Sequence, residues 1–75
     1  MTADSDTRAV RDALLDKLNE AGSRTKDRLV AIVAAAEGVD ETAVEREFGK
    51  LLVGGHVEGL PGIEGAFILV EDPRD

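Results

Sequence analysis

The chain has no cysteine, tryptophan or tyrosine, and only one histidine, two phenylalanines and three lysines among its 75 residues. Each shortage excludes something. Without cysteine, no disulfide or thiolate–metal site can staple so short a domain, so stability rests on packing or on a partner chain. One histidine and scattered serines supply no nucleophile–base–orienter set, and an enzyme is not expected. Without an aromatic platform, stacking recognition of single strands or RNA is not expected either. No apolar stretch reaches the roughly 18 residues that a membrane span needs. The opening Met1-Thr2-Ala3-Asp4-Ser5-Asp6 is acidic where a secretory signal is basic and then apolar. A cytoplasmic protein is expected, with no membrane association and no cofactor.

What the chain does have is negative charge. Sixteen acids against nine Lys and Arg give a net −7. Acid-rich, lysine-poor sequences built on Ala and Val resemble proteins from extreme halophiles. There, dense carboxylates keep a surface hydrated, and molar salt screens their repulsion to about 3 Å. The charge is uneven. Residues 24–56 carry five cations and six acids, residues 1–23 three and five, and residues 57–75 one and five. Most of the excess acid therefore lies outside the middle of the chain.

The apolar pattern divides the chain into three helices and a hairpin, all in one domain spanning 1–75. Residues 1–5 read as a frayed polar start. A first helix runs from about Thr7 to Ala21, with Asp6 as N-cap, Gly22 as left-handed C-cap, and Val10, Leu14, Leu18 and Ala21 inward, Ala13 and Leu15 beside them. A second runs from Lys26 to Glu37, capped by Thr25. Its apolar run from Leu29 to Ala36 has no polar face, which predicts a helix surrounded by other elements. Asp40 caps a third, from Glu41 to Val53, with Ala43, Val44, Phe48, Leu51 and Leu52 inward, and Gly54-Gly55 stops it. His56 to Leu60 and Gly65 to Glu71 read as hairpin strands around a turn at 61–64. Phe67, Leu69 and Val57 are expected to face the core, and Ile68 and Val70 the other side. The tail, 73–75 above all, reads as disordered.

Ala34, Gly38 and Val44 stand at A-x3-G-x5-V, the spacing that lets two short helices cross steeply over a tight turn. A helix-turn-helix followed directly by a hairpin resembles the winged helix-turn-helix family, over about residues 7–72. The resemblance implies an α+β fold, with a short third strand at 23–25 pairing against the wing. It also implies a function: the third helix enters the major groove of double-stranded DNA, as in a small transcription regulator. Thr42, Arg46, Gly49, Lys50 and Val53 share the outward strip of that helix. Arg24, Lys26 and Arg28 lie around the start of the second helix, where such domains touch phosphates.

Other residues argue for a second reading. Asp40, Glu41, Glu45 and Glu47 surround the reading face, and the wing tip offers Leu60 and Ile63 in place of Arg or Lys. A protein-interaction module on a winged-helix scaffold, accessory to a replication or transcription assembly, would use that tip. A homodimer is a further expectation, through the first helix and Ile68/Val70. The acids form no metal-binding loop and read as solvated surface groups, so no metal is expected. Glu47 and Lys50 can pair along the helix. His56 reads as an exposed or locally bonded loop residue.

Overall fold

A computed structural model of the chain describes residues 2–21 and 23–74, with the side chains of 7–21 and 25–74. The element order is α1 (Thr2–Ala21), β1 (Ser23–Thr25), α2 (Lys26–Glu37), α3 (Glu41–Val53), β2 (Val57–Gly59) and β3 (Ala66–Leu69). The three strands form one antiparallel sheet in the order β1-β3-β2. Arg24 lies opposite Phe67, and Glu58 opposite Ile68. This α+β arrangement, three helices and a hairpin with a short strand preceding α2, is a winged-helix-like layout.

The helices form because each has an apolar stripe to bury. Val10, Leu14, Leu15 and Leu18 of α1 meet Leu29, Val30, Val33 and Ala34 of α2 and Val44, Phe48 and Leu51 of α3, all buried in one cluster. Phe48 is fully buried and meets the ring of Phe67 edge to face, with centroids 5.0 Å apart. That contact fixes α3 against the sheet. Between α2 and α3, Gly38 adopts φ 67°, and its N–H donates to the Ala34 carbonyl. Val39 N donates to the same carbonyl at 3.1 Å. A side chain at Gly38 would strain the backbone that sets the crossing of the two helices.

Several boundaries and faces differ from expectation. The first helix starts at Thr2, so residues 2–5 are not frayed and Asp6 lies inside the helix. No glycine or proline stands among residues 2–6 to interrupt the helix. The expected cap at Gly22 lies outside the described residues. Thr25 and Asp40 occupy the N-cap positions, but neither makes a side-chain capping bond. Ala21, in the last turn of α1, is exposed although it continues the stripe of Val10, Leu14 and Leu18. The second helix is not surrounded: Ala31, Ala35 and Ala36 face solvent. Alanine is small enough to stay outside at little cost, so the unbroken apolar run did not mean burial all round. The core face of α3 takes Glu47 in place of Leu52. Glu47 is 6% exposed and Leu52 37%.

Val57 is buried, Phe67 and Leu69 pack against the core, and Val70 is exposed. The tail is tied down through Arg74. Arg74 reaches Asp16 of α1 at 3.0 Å and Asp72 at 2.8 Å, while Asn19 Nδ2 donates to Asp72 at 3.2 Å. The guanidinium and then the backbone N–H of Arg74 hold the Asp72 carboxyl well below the usual carboxylate range. The same bonds, with Asp16, raise Arg74 above its ordinary value.

Candidate nucleic-acid interface

Burial along α3 fixes which face is free. Val44, Glu47, Phe48 and Leu51 point inward, so Thr42, Arg46, Gly49 and Val53 fall on the opposite side. Thr42 and Arg46 are exposed, Val53 is 91% exposed, and Gly49 is half-buried. Arg46 makes no ion pair among the described residues. Near the start of the helix it also borders a small hollow against Thr7 and Val10 of α1.

Gly49 is the unusual member. It lies inside a helix, where glycine costs about 0.5–1 kcal/mol relative to alanine. A Cβ added there would meet nothing within 4 Å. Neither backbone conformation nor packing within this domain calls for glycine at this position. What the missing side chain provides is a flat place on the outward face, between the side chains of Arg46 and Val53.

The other cations divide. Lys50 is 62% exposed, but its Nζ donates to Glu47 Oε2 at 3.1 Å, along the edge of the strip. This is the pairing along the helix that the sequence allows. Lys26 is half-buried, with Nζ 5.9 Å from the centre of the Phe48 ring, and its backbone N–H donates to Gly65 O at 2.8 Å. Its ammonium therefore stands within cation–π reach of the Phe48 ring. Arg28 is exposed on α2. The backbone of Arg24 pairs within the sheet, and its side chain lies outside the described residues. Glu41 and Glu45 are exposed beside the strip and oppose a polyanion.

At the wing tip, Leu60 is half-buried, its N–H bonded to Ala66 O at 2.8 Å, and Ile63 is 55% exposed. No group of three or more metal-ligating side chains forms among the described residues. No described helix is long and apolar enough to cross a membrane.

Compared with known proteins, the chain matches no family model, no curated protein and no solved structure.

Two features of the site went unread in the sequence. Val44, Glu47, Phe48 and Leu51 stand at i, i+3, i+4 and i+7, the full spacing of a buried stripe, with a carboxylate in the second place. Glu47 is therefore not the solvated acid that residue type alone suggests. His56, expected as an exposed or locally bonded loop residue, is half-buried, with Nδ1 unpartnered among the described residues. Its ring lies so close over Gly54 that a Cβ there would come 2.9 Å from Cδ2. The signal for that was Gly54-Gly55 itself, two glycines immediately before the only histidine.

Proposed function

We propose that the protein is a duplex-DNA-binding domain that lays α3 in the major groove, as a small transcription regulator would. The observation that carries this reading is Gly49. A helix glycine for which the domain has no use of its own lies on the outward strip between Arg46 and Val53, with the Thr42 hydroxyl one turn before Arg46. Such a strip suits close approach to a nucleic-acid backbone, with Arg46 reading a base edge or gripping a phosphate. Thr42, Lys50 and Arg28 supply further polar contacts around it. The overall acidity is compatible with this if the protein works in molar salt, where carboxylate repulsion is screened. A homodimer would double the phosphate contacts of one small module, and exposed Val70 offers one edge for it.

The test is an amide NMR titration with mixed-sequence duplex DNA, near 0.2 M and in molar KCl. Shifts centred on Thr42, Arg46 and Gly49, abolished by Arg46→Glu, are expected. A folded spectrum with no shift in either salt sinks the reading.

One observation favours a second reading. Val53 and Ile63 are largely exposed, at the end of α3 and on the wing. A protein partner covering them would make this an interaction module of a larger assembly. Capture of a partner that survives Arg46→Glu and is lost with Ile63→Asp distinguishes it.

A further inference from the structure

Behind the outward strip, a cleft of about 420 Å³ opens between the N-terminal half of α1, the end of α3 and the tail. Its walls gather Arg8 and Arg11 from α1, Lys50 from α3 and His56 from the turn that follows. Glu47 and Pro73 complete the polar floor and the outer rim. Three cations, Arg8, Arg11 and Lys50, thus line one concavity, with Glu47 beside them among the described residues.

The bonding of this cluster is also incomplete. Arg11 Nε and His56 Nδ1 are both buried and have no partner among the described residues. Buried polar nitrogens are seldom left so. Arg11 spends one terminal nitrogen on a 3.4 Å contact with its neighbour Asp12, and Arg8 makes no ion pair with any described side chain. The geometry is held from outside. The bonds from Arg74 to Asp72 and Asp16 fix the tail that places Pro73 on the rim.

We propose that this cleft binds a small organic dianion, a phosphate monoester or a dicarboxylate, between Arg8, Arg11 and Lys50. The volume admits more than an inorganic ion, and Leu51 and Pro73 offer apolar contact for its carbon skeleton. Two arginines and a lysine match the charge and the forked acceptors of such a group. Lys50 joins this cleft to the outward strip. An anion here competes with Glu47 for the ammonium, so occupancy alters the charge that the strip presents. The site stands on its own residues and does not depend on DNA being the partner of α3.

The experiment is an NMR titration at fixed ionic strength with glycerol phosphate and with succinate, with glycerol and sulfate as controls. Wild type, Arg8→Gln and Arg11→Gln are compared. Arg8 is exposed on a helix surface, so Arg8→Gln keeps the measurement available if Arg11→Gln fails to fold. Saturable shifts at Arg8, Arg11, Lys50 and His56 with at least one organic dianion are expected, stronger than with sulfate. Each substitution should weaken binding by about tenfold or more, the scale of one charged hydrogen bond. Which of the two probes binds names the acidic group. No saturable shift with either, or shifts insensitive to both substitutions, overturns the proposal. Arg46→Glu should leave the titration unchanged, so failure here and failure of the DNA reading are separate results.

Discussion

Gly49→Ala should make this protein more stable and a poorer binder. The helix interior gains about 0.5–1 kcal/mol when glycine becomes alanine, because the unfolded chain has less backbone freedom to lose. Nothing at this site opposes that gain, since an added Cβ meets no atom within 4 Å. For a domain of this size, one kcal/mol moves the melting temperature by about 4–8 °C, so a rise of several degrees is expected. Binding should move the other way. A methyl group on the flat part of the strip holds the facing backbone off and weakens the contacts on either side. A tenfold loss corresponds to about 1.4 kcal/mol. Urea denaturation at fixed KCl and a duplex titration of the same preparation read the two effects together. Gly38→Ala is the internal control: with φ at 67° it should destabilise by about 1–2 kcal/mol. If Gly49→Ala destabilises, the packing around α3 is not as described. If it stabilises and duplex binding is unchanged, Gly49 does not face the partner, and the argument for α3 as the reading helix falls with it.

Three more outcomes test other parts of the structure. Phe48→Ala empties a fully buried site and should cost about 3–5 kcal/mol in urea unfolding. A double-mutant cycle with Phe67→Leu should return a coupling of about 0.5–1.5 kcal/mol from the edge-to-face contact. If duplex binding is observed, Arg46→Glu should also flatten the slope of log affinity against log salt by about 1 or more, as expected for a lost phosphate contact; an unchanged slope would assign Arg46 elsewhere. The Asp72 carboxyl is depressed in the fold, so the tail clamp contributes fully above the ordinary carboxylate pKa near 4 and fades as pH falls below it. Asp72→Asn should therefore flatten the acid side of the stability profile between about pH 4 and 2 and leave neutral pH dependence unaltered.

The order of elements was legible because it rests on local signals. Ala34, Gly38 and Val44 mark a steep helix crossing, and Gly38 takes the left-handed turn they require. The short strand at 23–25 came from the resemblance alone, since three residues carry no periodicity, and the structure places β1 there. What failed was reading residue type in place of geometry. Residue type puts charged Glu47 outside and apolar Leu52 inside, whereas the spacing from Val44 to Leu51 selects Glu47 for the core face. The alanines of α2 misled in the same way, being apolar but cheap to expose. The cleft and the tail clamp could not be read at all. They depend on residues brought together from both ends of the chain, such as Asn19 with Asp72 and Arg8 with Pro73. No local pattern announces a contact of that range.

The central position of β3 has a consequence for how the chain comes to be folded. β1 precedes α2, and its only sheet partner is the last strand in the sequence. A nascent chain synthesised as far as Glu64 has both outer strands and nothing to put between them. Until then the helices must hold one another through Leu14, Leu18, Leu29 and Val44, with Phe48 still lacking its ring partner. Closing the sheet spans most of the sequence, the kind of long-range step that slows folding. A truncation after the wing turn would therefore not trim an edge. It would remove the middle of the sheet and release both flanking strands at once.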